Sequence, residues 1–205
     1  MEHRDASPAD PPRLQAEPAS LRRRLAAWLL ARLGWRVEVA WPEAPKVVVI
    51  VYPHTSNWDF ILGVLARASA GLPLSWIGKH TLFRWPLAPL LRWLGGTPVN
   101  RSSPGRLVED LGEALQSREW MWLALSPEGT RRRLDHWRSG FYRLARAADV
   151  PVGLGFIDFA TRRIGVSGYL TLTGDEAADM TRIAAAYAGL RGKRPEQASP
   201  IRLPQ

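Results

Sequence analysis

The stretch "VVVIVYPHTSNWDF", residues 47–60, decides the fold. Its branched aliphatic run is typical of a strand buried on both faces, and we predict that strand over 46–52. An apolar pattern follows, which predicts a helix over 58–70 that Asn57 or Ser56 can cap. A strand that passes directly into a helix is typical of the α/β class.

Strand and helix patterns also alternate along the rest of the chain. Further strands are predicted at 74–78, 97–100, 120–126, 151–159, 163–167 and 169–173. Further helices are predicted at 104–118, 138–148 and 175–190, and a helix interrupted by Pro86 and Pro89 is predicted at 80–94. This alternation predicts an α/β layered sandwich, in which helices flank a largely parallel mixed sheet.

The composition limits the kinds of site that the chain can build. The chain has 205 residues, of which 46% are hydrophobic, and this predicts one globular domain. It contains no cysteine, which excludes disulfides, thiolate nucleophiles and sulfur-based zinc sites and fits a reducing compartment. We find no secretory leader and no apolar run of about 18 residues, so we predict no membrane-spanning helix.

The chain is strongly basic and rich in tryptophan. Its formal net charge is +9, from 28 Lys+Arg against 19 Asp+Glu, and it has 10 tryptophans. Such a charge suits a polyanion or an anionic membrane, while codon bias in a GC-rich genome also explains an excess of arginine. A nucleic-acid groove would require aromatic residues that alternate with basic ones. Here the tryptophans cluster with leucines and prolines instead. The pattern therefore favours a lipid surface.

The N-terminal region divides into an arm and a basic helix. Residues 1–19 carry prolines and charges without periodicity, which predicts a disordered arm. Residues 20–37 contain five arginines, no acid, and apolar residues at helical spacing: Leu21, Leu25, Trp28, Leu29 and Leu33. This predicts a basic amphipathic helix on a membrane surface, and packing of a first helix on the core is the alternative. The main domain is predicted over 38–190, with a loose polar tail over 191–205.

The connection after the first predicted buried strand carries a possible acid–base pair. His54 supplies an imidazole, the natural base near neutral pH, and Asp59 is close enough in sequence to fix its tautomer. A capping role for His54 and a helix-dipole role for Asp59 are the alternatives. His80 and His136 are weaker candidates, for which surface roles are favoured.

A second polar cluster, "PEGTRRR" at 127–133, follows the strand predicted at 120–126. Glu128 can accept hydrogen bonds, Gly129 allows close approach of a ligand to the backbone, and Thr130 and Arg131 suit phosphate oxygens. The two arginines that follow are interpreted as a solvated flank. Because the carboxyl ends of parallel strands meet at one edge, we expect both clusters to lie together there.

These motifs make the chain resemble the glycerol-phosphate and lysophospholipid acyltransferases. The family signature H-x-x-x-x-D is matched at 54–59 and P-E-G-T-R is matched at 127–131. Two weaker family blocks are matched at 78–102 and at 150–156. The resemblance covers about 46–158, nearly all of the predicted domain.

The resemblance implies transfer of a fatty acyl group from acyl-CoA or acyl-carrier protein to the free hydroxyl of a lysophospholipid. His54 would act as general base and Asp59 would orient it, with no metal and no other cofactor. The acceptor would be bound by residues of the second and third blocks: Lys79, Arg101, Glu128, Gly129, Thr130 and Arg131. The leading acceptor is 1-acyl-glycerol-3-phosphate, in phospholipid biosynthesis. Another lysolipid, such as lyso-ornithine lipid or a glycolipid, is the alternative.

Two positions depart from the family pattern. Asn100 stands where an acidic residue often precedes the arginine, and Ser126 replaces the usual aromatic residue before the third block. The residue inventory supports the same chemistry, since it has no G-x-S-x-G elbow, no H-E-x-x-H and no phosphate-binding loop.

We predict a peripheral enzyme on the cytoplasmic face of the cell membrane, which uses membrane lipids and no nucleic acid. A basic binding module that has lost catalysis is the second hypothesis.

Overall fold

The computed structural model describes residues 20–99 and 104–204. Its helices are α1 (Leu21–Arg32), α2 (Trp58–Ala70), α3 (Leu87–Trp93), α4 (Pro104–Ser117), α5 (Gly140–Ala147) and α6 (Glu176–Ala186). Its strands are β1 (Arg36–Val39), β2 (Lys46–Tyr52), β3 (Leu74–Lys79), β4 (Gly96–Val99), β5 (Met121–Leu125), β6 (Val152–Asp158) and β7 (Arg163–Leu170). Short 3-10 turns lie at His80–Leu82 and Pro195–Gln197.

Within the described residues, the seven strands form one sheet in the order β1-β7-β6-β2-β5-β3-β4. Strand β2 is parallel to both of its neighbours, β5 and β6, and β3 is parallel to β5 and β4. Strands β6 and β7 pair in the antiparallel sense. The predicted largely parallel mixed sheet is therefore confirmed.

Helices cover both faces of this sheet. On one face, Val48 and Ile50 of β2 pack in a core cluster with residues of α4, α5 and α6. On the other face, Val47 and Val49 of β2 lie in a second cluster, and a third joins α1 and α2 to β6 and β7. Burial on both faces explains the continuous apolar run of β2. Polar chemistry is consequently expected where the strands end.

Several elements differ from the predicted ones. The helix predicted over 20–37 ends at Arg32, and 36–39 forms strand β1 instead. Strand β1 was not predicted, because 36–39 alternates charged and apolar residues and is held by parallel pairing with β7. The helix predicted at 80–94 is interrupted at Pro86 as expected, with a 3-10 turn before it and α3 after it, but Pro89 lies inside α3. The two strands predicted at 163–167 and 169–173 form the single strand β7.

Helix α1 packs on the domain with one side and leaves apolar residues exposed on another. Ala26 and Leu30 are buried, and Leu30 lies in the cluster that contains residues of α2, β6 and β7. Packing of the first helix on the core is thus observed, while Leu21 and Trp28 of the predicted apolar stripe remain exposed. In the described part of the chain, no helix is both long and apolar enough to cross a bilayer. The predicted arm 1–19 lies outside the described residues.

The tail predicted as loose over 191–205 is packed against the domain in its described part, 191–204, which corrects that prediction. The backbone N–H of Arg191 donates to Asp158 at 3.1 Å, and the N–H of Trp137 donates to the Arg202 carbonyl at 2.8 Å. Ser199 is only 1% exposed. Backbone hydrogen bonds to the domain, which composition does not encode, order this polar segment.

Candidate active site

Two polar connections lie side by side at one edge of the sheet. Strands β2 and β5 are parallel neighbours, with Ile50 paired to Leu125 near their carboxyl ends. The connections that follow them are joined by a hydrogen bond of 2.7 Å from the backbone N–H of His54 to Glu128 Oε2. The expectation that both clusters share an edge is confirmed.

His54 and Asp59 form a close imidazole–carboxylate pair. The distance from His54 Nδ1 to Asp59 Oδ2 is 3.2 Å, and the histidine side chain is partly exposed whereas the aspartate is buried. The same Oδ2 accepts the backbone N–H groups of Thr55 and Ser56, each at 2.8 Å. The tight turn before α2 therefore holds the carboxylate, which lies in the first helical turn. Such a carboxylate can orient an imidazole and stabilise its protonated form.

Of the two caps predicted for α2, Ser56 and not Asn57 makes the hydrogen bond. Asn57 occupies the N-cap position, but its side chain makes no capping hydrogen bond. The Ser56 hydroxyl instead accepts the backbone N–H of Trp58 at 3.1 Å. Asp59 Oδ1 is buried without a hydrogen-bond partner among the described residues. The carboxylate of Asp59 is thus oriented by Oδ2 alone.

Glu128 is a second buried carboxylate at this edge, with 0% of its surface exposed. Its Oε2 accepts from the His54 backbone, and its Oε1 accepts the backbone N–H of Ser199 at 2.8 Å. Burial raises the pKa of the Glu128 carboxyl, and the hydrogen bonds from Ser199 and His54 oppose that rise. Glu128 therefore bridges the connection after β2 and the C-terminal segment.

The remaining residues of the P-E-G-T-R motif form a tight turn that ends at the surface. Gly129 has a φ of +65°, a left-handed conformation that favours glycine, and a Cβ there would lie 2.7 Å from Nε of the exposed Arg138 side chain. The Thr130 hydroxyl accepts the backbone N–H of Arg132 at 3.3 Å. Arg131 is exposed. The turn thus presents a cation beside the buried carboxylate.

The other candidate residues are spread more widely. Lys79 is the last residue of β3 and is exposed. Because β3 is parallel to β5, Lys79 lies at the same edge as His54. Arg101 and Asn100 lie outside the described residues. The weaker candidates, His80 and His136, are both exposed.

Sequence reasoning missed the C-terminal contribution to this edge. The backbone N–H of Arg194 donates to Thr55 Oγ1 at 3.2 Å, within the first motif. When the Gln197 amide nitrogen faces them, it donates to the carbonyl oxygens of Thr55 and Arg131 at 3.1 and 2.7 Å. Most of these contacts use backbone groups, which every residue type carries, so no motif indicated them.

Residues 37–153, more than half of the chain, match the family model described as Acyltransferase. The fold is similar to the crystal structure of the 1-acyl-sn-glycerophosphate (LPA) acyltransferase PlsC from Thermotoga maritima, with a TM-score of 0.53. That similarity covers 80% of this chain and 74% of that chain at 16% sequence identity, so it concerns the fold. No significant match was found among curated protein sequences. By its motifs, its sheet and this family match, the chain belongs to the acyltransferase family.

Proposed function

We propose that this acyltransferase moves a fatty acyl group from an acyl thioester to the free hydroxyl of a lysophospholipid, with 1-acyl-glycerol-3-phosphate as the acceptor. The observation that carries the proposal is the His54 Nδ1 to Asp59 Oδ2 contact of 3.2 Å beside the P-E-G-T-R turn. An imidazole held in this way is a general base for a hydroxyl group. The donor is acyl-CoA or acyl-carrier protein.

The proposed reaction is a single displacement at the thioester carbonyl. His54 Nε2 removes the proton of the acceptor hydroxyl while its oxygen attacks the carbonyl carbon. The tetrahedral adduct collapses, the C–S bond breaks, and the imidazolium gives the proton of the acceptor hydroxyl to the leaving thiolate. Asp59 stabilises the imidazolium through Nδ1. General-base assistance of this kind is worth on the order of 10²–10⁴-fold in rate.

Acceptor binding is assigned to the rim of the edge. Arg131 and Lys79 are exposed cations there, and Arg101 is retained from the family pattern. A guanidinium can hold two phosphate oxygens, whereas an ammonium group offers a point charge. Gly129 and Thr130 shape the turn that carries Arg131. Glu128 is buried with both carboxylate oxygens bonded to backbone, and we assign it to holding the His54 connection.

Peripheral association with the cytoplasmic face of an anionic membrane is supported by exposed apolar side chains. They lie on α1, at the start of α2 and around α3: Leu21, Leu25, Trp28, Trp58, Ile61, Leu82, Trp85, Leu87, Leu90 and Trp93. The guanidinium of Arg22 lies 4.4 Å from the centre of the Trp93 ring, which brings α1 close to α3. Cations near an anionic surface contribute about 1 kcal/mol each. Vesicle sedimentation should therefore show binding that weakens with salt, and equal binding to neutral vesicles would contradict it.

The test of function is an acyl-transfer assay on the purified full chain. Each donor, acyl-CoA or acyl-carrier protein, is paired with 1-acyl-glycerol-3-phosphate, lyso-ornithine lipid or a lysoglycolipid. The products are identified by mass spectrometry. Diacylglycerol phosphate as the main product, absent with His54→Ala, supports the proposal. A different acylated lipid would change the acceptor, and no product from any pair would support a binding module. Arg131→Ala should raise the acceptor KM, and Arg131→Lys should restore only part.

A further inference from the structure

The described residues after α6 include a segment, 191–202, that contacts both motifs of the candidate active site. We call it the C-terminal clasp. It lies outside the region that matches the family model, which ends at residue 153. Its two ends are tied to the domain by hydrogen bonds, from Arg191 N–H to Asp158 and from Trp137 N–H to the Arg202 carbonyl. The intervening residues can therefore hold a fixed position against the edge.

Ser199 joins the clasp to three parts of the domain. Its backbone N–H donates to Glu128 Oε1 at 2.8 Å, and its hydroxyl oxygen accepts the backbone N–H of Leu134 at 3.1 Å. Its carbonyl accepts the hydroxyl of Tyr52, the last residue of β2, at 3.3 Å. Because Glu128 also accepts the His54 backbone N–H, only the Glu128 side chain separates Ser199 from the backbone of the proposed base.

A second link runs through Thr55, which is 1% exposed. Thr55 Oγ1 accepts the backbone N–H of Arg194 at 3.2 Å, and the backbone N–H of Thr55 donates to Asp59 at 2.8 Å. Gly192 lies so close that an added Cβ would be 2.6 Å from Thr55 Oγ1 and 3.0 Å from Thr55 Cγ2. Only a glycine fits against Thr55 at this distance without displacement.

We propose that the C-terminal clasp is a positioning element for acyl transfer, which holds the His54–Asp59 connection in register with the turn of Glu128. The proposal rests on the function proposed above. Two separate contacts support it, one at Thr55 and one at Glu128, and each acts on a residue that is bonded to the dyad or its backbone. A segment that served stability alone would not need to meet both motifs. A misplacement of about 1 Å can cost on the order of 10²-fold in rate.

The decisive variant is Gly192→Ala, which inserts a methyl group between the clasp and Thr55. The matched control is Gly168→Ala, since a Cβ at Gly168 meets nothing within 4 Å. We expect Gly192→Ala to lower kcat on the order of 10²-fold, as a displacement of about 1 Å does. The KM values for donor and acceptor should change less than kcat, and Gly168→Ala should match wild type.

A suppressor distinguishes positioning from general destabilisation. Thr55→Ala removes the two nearest atoms that the Gly192 methyl group would meet and leaves Pro53 Cβ at 3.2 Å, so the double variant should recover part of the loss, about tenfold in kcat over Gly192→Ala. If Gly192→Ala fails to fold, Thr55→Val and Thr55→Ser decide. Valine removes the acceptor for Arg194 and should lower kcat, whereas serine keeps it and should restore activity.

Failure of the positioning role and failure of the function are separable. Loss of activity in His54→Ala together with wild-type kcat in folded Gly192→Ala, or in both Thr55 variants, would overturn the clasp proposal alone. Absence of acyl transfer in the wild-type protein would instead overturn the function on which the proposal rests. A fall in kcat that Thr55→Ala does not relieve and that Thr55→Val does not reproduce would assign the clasp to stability and would also overturn its positioning role.

Discussion

The connections that follow β2 and β5 each bury one carboxylate, and the two are held in opposite ways. Asp59 accepts its backbone hydrogen bonds from Thr55 and Ser56, four and three residues earlier in the chain. Glu128 accepts from His54 and Ser199, 74 and 71 residues away. The first carboxylate is placed by one local turn at the start of α2. The second is placed only when β2, β5 and the C-terminal clasp have come together.

The largest effect should come from breaking the locally held pair. We expect His54→Ala to lower kcat by on the order of 10²–10⁴-fold or more, since the proposed base is lost. Asp59→Asn should cost less, because the amide oxygen can still accept a hydrogen bond while the stabilising charge is gone. Steady-state kinetics on samples with unchanged circular dichroism will check both. Undiminished turnover in pure His54→Ala would refute the assignment of the base.

Glu128→Gln tests the carboxylate that is held from a distance. The amide keeps one acceptor, so one of the two backbone N–H groups loses its partner, and we expect kcat to fall about tenfold, as the loss of one hydrogen bond does. Stability should follow a different course. Burial raises the pKa of Glu128 above 4.5. The stability of the folded protein is therefore higher below pH 4.5, where the carboxyl is protonated, and falls as pH rises through the raised pKa.

Urea unfolding of wild type and Glu128→Gln between about pH 4 and pH 8 will measure this cost. As pH rises, the free energy of unfolding of the variant should increase relative to that of the wild type, because glutamine does not ionise. A variant that loses stability steadily with rising pH, relative to wild type, would contradict the raised pKa. A loss of kcat without a loss of stability would assign Glu128 a role in positioning His54.

A third buried carboxylate, Asp179, serves as a comparison away from the edge. It accepts hydrogen bonds from the Tyr142 hydroxyl at 2.8 Å and from the Thr173 backbone at 2.9 Å. Burial pushes its pKa up, but these hydrogen bonds and that from Gly174 together hold the pKa below 3.8. Its stabilisation is therefore present above pH 3.8 and is lost as pH falls through the lowered pKa.

We expect Asp179→Asn to lower the free energy of unfolding by about 1–3 kcal/mol at neutral pH, with the deficit shrinking in acid. The matched control is Glu176→Gln, an exposed carboxylate on the same helix. Thermal and urea unfolding will measure the loss, and kcat of the folded variant should stay near wild type. A specific loss of kcat without a loss of stability would show that Asp179 acts on the site.

The smallest effect is expected at Ser126, which replaces the aromatic residue usual in the family. Its hydroxyl is buried without a hydrogen-bond partner among the described residues. Gly129 N–H bonds to the Ser126 carbonyl, which any residue supplies. Ser126→Ala should therefore change the free energy of unfolding by less than about 0.5 kcal/mol, with unchanged kinetics. A loss above that size would show that the hydroxyl has a partner such as water.

Local patterns were enough to predict β2, α2 and β5, and to predict that the connections after the two strands share one edge of the sheet. The apolar runs at 47–51 and 121–125 predict strands that are buried on both faces. Parallel strands place their carboxyl ends at one edge of the sheet. Strand β1 was missed because 36–39 has no such run and depends on β7, more than a hundred residues later. The prediction of a loose tail was wrong for the same reason, because the tail is held by hydrogen bonds to residues that are distant in sequence.

The sequence by itself determined the chemistry of the edge: an imidazole followed within one turn by a carboxylate, and a glycine turn that carries a cation. These features depend on residues close in the chain, whose side-chain identities are visible. Tertiary structure alone decided that Glu128 faces the backbone of His54 and Ser199, and that Gly192 and Arg194 lie on Thr55. Most of those contacts use backbone N–H groups, which all residues except proline carry, so only the folded chain selects which of them meet.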